Sequence, residues 1–268
     1  MLVGCDFSCS PTRRKPIVIA SGSVAKGRVL LQRLERLESL DAFAAWLAAE
    51  RSWVGGFDFP FGLPRLLLEH LGWPLEWQAA MRHYGALPRA DIRNQFAAFC
   101  NARPLGHKFA HRATDGPANA SPSMKWVNPP VAFMLHAGVP RLLDAGVYLP
   151  GLHAGDPARV ALEAYPGLLA RELIGRRSYK ADDKARQTPE RLIARKDIMT
   201  GLEHGQTRLG LRLKTSHAQQ GVLVGDASGD SLDAVLCLMQ AAWASLQGAP
   251  MYGLPATLDP LEGWIVTA

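Results

Sequence analysis

Leu2-Val3-Gly4-Cys5-Asp6 is a short apolar run that ends on a carboxylate, and it reads as a first β-strand over residues 2–7. Two more strand-like stretches follow at 16–20 and 28–34, separated by turn material at Ser10-Pro11 and between Gly22 and Gly27. Strands that follow one another across short turns predict an antiparallel meander. Ser39 and Asp41 are candidate caps for a helix through about Arg51, with Leu40, Phe43, Ala44 and Leu47 on its core-facing stripe. Residues 53–59 read as a fourth strand and 159–165 as a fifth. Between them, residues 61–157 form a long insertion with helices expected near 63–71, 74–84, 89–101 and 131–145. Gly, Pro and Asn crowd the part from Pro104 to Pro130, a loop long enough to suggest a functional role. Beyond the fifth strand come a helix over 167–174 and another opened by Thr188-Pro189. A short edge strand is expected at Val222-Leu223-Val224. A last helix over 231–247 buries Leu232, Val235, Leu236, Met239, Trp243 and Leu246. Later strands separated by helices add in parallel, so the pattern predicts one α/β domain over 1–268, its mixed sheet covered on both faces.

Charge sits where such strands should carry none. Asp6 ends the first strand, Asp58 the fourth and Glu163 the fifth, while Asp230 and Asp233 open the last helix. A carboxylate beside a buried strand is costly unless a partner or a metal compensates it. In open α/β sheets, ligands bind beyond the carboxyl ends of parallel strands, which is where these acids lie. An oxygen-only cluster suits Mg²⁺ or Mn²⁺ rather than Zn²⁺. One ion, or two about 3.5–4 Å apart, could activate water for phosphodiester hydrolysis. Each acid also has a structural alternative. Asp6 could accept from turn amides at Ser8 and Ser10, and Asp58 could be a turn acid. Glu163 could pair with Arg171 or Arg191. Asp230 could be a helix N-cap, and Asp233 a first-turn acid complementing the helix dipole.

The net charge of +6 is local: residues 171–214 hold twelve Lys/Arg against six Asp/Glu, and the rest of the 268 residues balances at eighteen of each. Within that segment, Arg176, Arg177 and Lys180 could hold phosphates while Tyr179 stacks on a base. A solvated loop explains the same residues equally well. Lys125, in the long insertion, could approach a substrate at the rim. Other chemistries find no support. Gly22-x4-Gly27-Arg28 lacks the Lys-Ser/Thr of a phosphate-binding loop, His107 is not followed by Glu, and no Gly-x-Ser-x-Gly occurs. Cys5, Cys9, Cys100 and Cys237 form no CxxC pair, and Cys5 and Cys237 read as core residues. No stretch approaches the roughly 18 apolar residues of a membrane helix. The first residues resemble no signal peptide, so a cytosolic, membrane-free protein is expected.

Four motifs then resemble a family. Gly4-Cys5-Asp6-Phe7-Ser8-x-Ser10-Pro11, Gly56-Phe57-Asp58-Phe59-Pro60-Phe61-Gly62-Leu63-Pro64, Glu163-Ala164-Tyr165-Pro166 and Asp230-Ser231-Leu232-Asp233-Ala234 are similar, in order and spacing, to those of an uncharacterised family. That family is described as predicted nucleases of ribonuclease-H-like fold (domain of unknown function 429). Many of its members carry Gly where this chain has Cys9. The resemblance implies a five-stranded sheet of order 3-2-1-4-5. Asp6 would then be the acid of the central strand, Asp58 that of its neighbour, Glu163 that of the next strand, and Asp233 (or Asp230) that of the last helix. The function expected is metal-dependent phosphodiester hydrolysis, with Asp6, Asp58, Glu163 and Asp233 catalytic. Two alternatives stand beside it: a non-catalytic module for nucleic acid or a phosphorylated ligand, and an enzyme acting on small phosphoesters. Oligomeric state is left open by the sequence.

Overall fold

The structure, a computed structural model, describes residues 1–49 and 51–268. Its organisation follows from alternation along β1 (Leu2–Asp6). Successive side chains of a strand point to opposite faces, so Val3 and Cys5 enter one core and Leu2 the other, on the side shared by Gly4 and Asp6. The remaining strands are β2 (Ile17–Ala25), β3 (Arg28–Leu37), β4 (Trp53–Phe57), β5 (Val147–Tyr148), β6 (Asp156–Glu163) and β7 (Arg212–Lys214). Together they form one mixed sheet of order β5-β6-β4-β1-β2-β3-β7. β1, β2 and β3 pair antiparallel, as the short turns between them dictate. β4 runs parallel to β1, and β6 parallel to β4.

This corrects the expected five-stranded sheet. The five anticipated strands lie side by side as β3-β2-β1-β4-β6, but short strands β5 and β7 extend the sheet to seven. The edge strand was expected at Val222-Leu223-Val224, which instead lies within α9 (His217–Gly225). Ser216 and Gln219 close a capping box there, each side chain accepting from or reaching back to the other's backbone, and this starts a helix where three apolar residues alone suggested a strand.

One face of the sheet is covered by α1 (Leu40–Ala48) and by α2 (Arg65–Leu71), α3 (Trp77–Ala86), α4 (Arg89–Asn101) and α6 (Val131–Asp144) of the insertion, with the short α5 (Asp115–Ala118) between the last two. α1 ends at Ala48, before the expected Arg51, and Glu50 lies outside the described residues. The other face carries α7 (Pro166–Ile174), α8 (Pro189–His204), α9 and α10 (Asp230–Gln247). No helix among the described residues is long and apolar enough to cross a membrane.

Two glycines let α10 lie directly on the sheet. Gly4 and Gly56 are cross-strand partners on β1 and β4. A Cβ at Gly4 would come within 2.0 Å of the Ala234 carbonyl oxygen, and one at Gly56 within 2.7 Å of the Cys237 carbonyl oxygen. Only hydrogen at both positions permits that approach. It sets the first turn of α10 over the carboxyl ends of β1 and β4.

Candidate metal centre

Asp6, Asp58 and Asp233 converge at that crossing. Each offers a carboxylate oxygen within 4.8 Å of the others'. Asp6 is the last residue of β1 and shares the face of Leu2 and Gly4. Asp58 follows β4, and its N–H donates to the Cys5 carbonyl at 2.9 Å, which carries the strand pairing one residue further. Asp233 occupies the first turn of α10, where its N–H donates to the Gly229 carbonyl at 2.8 Å. Asp233 is fully buried and Asp6 nearly so, while Asp58 is half-buried.

Glu163 does not join them. It lies opposite Phe57, not Asp58, in the β4–β6 register. A shift of one residue along a strand reverses the face. Val160 and Leu162 pack toward Cys237 of α10, so Glu163 turns with Ala161 to the insertion side. There Arg112 grips it with two hydrogen bonds, 2.6 Å to Oε1 and 2.7 Å to Oε2, and the Phe61 N–H donates to Oε2 at 2.8 Å. Arg112 also pairs with Asp115 at 3.0 Å and is itself buried. The expected fourth ligand is thus a buried anchor between β6 and the insertion. Neither Arg171 nor Arg191, the partners suggested by sequence, serves it. Arg171 donates to the Ala118 and Asn119 carbonyls, and Arg191 to the Lys180 carbonyl.

Asp230 lies next to the cluster rather than in it. Its Oδ1 accepts from Lys15 Nζ at 2.6 Å, and its buried Oδ2 has no partner among the described residues. It is not the helix cap. Asp226 accepts the Ser231 N–H at 2.9 Å and fills that role from outside the helix.

The basic loop behaves differently from its sequence reading. Tyr179 is buried and donates its hydroxyl to Asp233 Oδ1 at 2.5 Å, so its ring is not a free stacking surface. Lys180 places its ammonium on Asp233 Oδ2. Arg177 pairs with Asp197 at 2.7 Å, whereas exposed Arg176 has no ion pair among the described residues. Lys125 is half-buried and is not among the residues lining the cleft over the acids. Sequence reasoning missed Lys15, Arg112 and Asp226, because nothing local marks them: Lys15 bridges Asp182 at 2.7 Å and Asp230 at 2.6 Å across long stretches of chain.

Two lysines therefore face four aspartates, and the protonation of Asp6, Asp58 and Asp230 is shifted. Burial, then the negative charges of Asp233 and Asp230, hold the Asp6 carboxyl well above the usual carboxylate range, with Lys180 opposing. Burial pushes Asp58 up to about 7, Asp233 and Glu163 adding to the effect and Lys180 opposing it. Asp230 is raised by burial against the pull of Lys15. Burial works to lower Lys180, but Asp233, with Asp6 and Asp58 behind it, holds its ammonium well above the ordinary lysine range. Such crowding of carboxylates is what a divalent cation relieves. The donor set, three aspartate oxygens from rigid elements, fits a hard ion.

Asp6, Asp58 and Asp230, with Asp233 buried behind them, open into a cleft of about 390 Å³. Its far wall, formed by Pro129, Val131 and Met134, comes from the insertion. A second groove shares Asp58, Tyr165 and Lys180 with it and continues past Arg171, Arg176 and Arg177. Comparison of the chain with family models, curated proteins and solved structures returned no match.

Proposed function

We propose that this protein is a metal-dependent phosphodiester hydrolase of ribonuclease-H-like type, acting on nucleic acid. The observation that carries the reading is the meeting of Asp6, Asp58 and Asp233 from two parallel strand ends and a helix start. The motif resemblance described above points the same way. Asp6, Asp58 and Asp233 would hold Mg²⁺ or Mn²⁺, which when bound supplies Lewis-acid polarisation of the phosphoryl group and activates water. The chain's own residues do the rest. Tyr179 fixes the orientation of Asp233 through its hydroxyl. Arg176 and Lys180 lie along the groove that leaves the acids and meet the phosphate backbone there. The apolar wall at Pro129, Val131 and Met134 accepts a base rather than a phosphate. Glu163 acts only by anchoring the wall through Arg112.

The test is hydrolysis of end-labelled single-stranded and duplex oligonucleotides with Mn²⁺, comparing wild type with Asp6→Asn. Cleavage that needs both the ion and Asp6 supports the reading. Salt-sensitive binding without cleavage supports a non-catalytic nucleic-acid module instead. Turnover of small phosphodiesters alone would indicate an enzyme of small phosphoesters.

A further inference from the structure

The Lys180 ammonium lies where a cation serving the three aspartates has to come. It contacts Asp233 Oδ2, and its charge is felt at Asp6 and Asp58. Its side chain is 43% exposed while that of Asp233 is 0% exposed, so the head is inserted and part of the stem faces solvent. The stem crosses Gly229, where an added Cβ would come within 2.7 Å of Lys180 Cβ. Withdrawing the head gives up its contact with Asp233 and its place 5.6 Å from the centroid of the buried Tyr179 ring. Asp233 is held independently: Tyr179 donates to its other oxygen at 2.5 Å, and Arg195 holds the Tyr179 carbonyl at 2.7 Å. Lys15 is no substitute, because its ammonium is committed to Asp182 and Asp230.

We propose that Lys180 is an internal counter-ion that competes with a divalent cation for Asp6, Asp58 and Asp233, the ion entering as the ammonium leaves for the adjoining basic groove. This deepens the metal reading above and rests on it. The lysine keeps its proton throughout, so the exchange swaps one cation for another. The displaced ammonium joins Arg176 in the groove that Lys180 already lines, where it faces substrate phosphate. Metal loading and assembly of the phosphate site are thereby coupled: an ion at the acids frees the lysine for the substrate.

The experiment is calorimetric titration of Mn²⁺ into wild type, Lys180→Met and Lys184→Met. Lys184 lies four positions further along the same loop and removes the same charge at an exposed site. Removing a competing unit charge within contact distance is expected to tighten Mn²⁺ binding about tenfold or more in Lys180→Met. Lys184→Met is expected to match wild type. Unchanged or weaker binding in Lys180→Met overturns the exchange while leaving the metal reading intact. If wild type itself takes up no Mn²⁺, the metal reading fails and the exchange with it. A second readout uses wild type alone, so it holds even if Lys180→Met does not fold. Reductive methylation followed by mass spectrometry is expected to label Lys180 severalfold faster, relative to Lys184, once Mn²⁺ is added. An unchanged ratio overturns the proposal.

Discussion

Replacing Asp58 with Asn removes a half-buried negative charge while keeping the shape of the side chain. Among the described residues no protein donor meets the Asp58 carboxylate, so the change breaks no hydrogen bond. Its carboxyl is held at about 7 in the folded protein against an ordinary 3.8. The sign follows from linkage. An acid with a raised folded-state value adds stability that is fully present below pH 3.8 and lost as pH rises through about 7. Between pH 5 and pH 8 the folded wild type gives up this proton, at about 1.4 kcal/mol per pH unit until pH 7, or about 3 kcal/mol in all. Asn has no proton to lose. In chelator, the stability of Asp58→Asn relative to wild type is therefore expected to improve by about 3 kcal/mol from pH 5 to pH 8. Urea denaturation at the two pH values measures it, and adding Mg²⁺ at pH 8 should reverse the order by stabilising wild type alone. A variant whose stability difference from wild type does not change between the two pH values refutes the reasoning about crowded carboxylates. So does a variant that loses ground at pH 8.

Other outcomes follow from the same geometry. Mn²⁺ affinity of wild type should rise with pH through about 7, because the ion displaces the proton that Asp58 holds below that pH; titration at several pH values reads this directly. Gly4→Ala drives a methyl group into the α10 backbone, and is expected to cost about 1–3 kcal/mol in urea denaturation. It should also weaken Mn²⁺ binding by prising Asp233 from Asp6. Arg112→Met strands Glu163 without its buried partner and is expected to cost about 3–5 kcal/mol by the same assay. Any protein that remains folded should still bind Mn²⁺, since Glu163 lies outside the three-aspartate cluster. Arg176→Ala should weaken oligonucleotide binding and lower its salt slope by about 1, measured by fluorescence anisotropy.

Much of the architecture was legible in the chain. The meander, the long helical insertion and the parallel strands beyond it follow from local patterns: apolar runs, turn residues and helical stripes, each contained within a few neighbouring residues. The short β5 and β7 escape sequence reading because two or three residues carry no period, and α9 because its apolar triplet Val222-Leu223-Val224 looks like a strand. Asp6 and Asp58 could be picked out as strand-end acids, since a charge that closes an apolar run is conspicuous on its own.

What the sequence by itself determined is which residues end strands and start helices, because hydrogen bonding and burial within an element are short-range matters. Only the tertiary structure decided which of those ends share a face. Glu163 sits at a strand end like Asp58 and lines the same cleft, yet a register that sets it opposite Phe57 turns its carboxylate to Arg112 and away from the three aspartates. Asp233 reaches Asp6 from more than two hundred residues away because Gly4 and Gly56 let a helix backbone touch the strands. Lys180 and Tyr179 come to the acids for the same reason, through contacts between segments distant in the chain. Face and distance depend on how elements pack, and no local pattern carries that information.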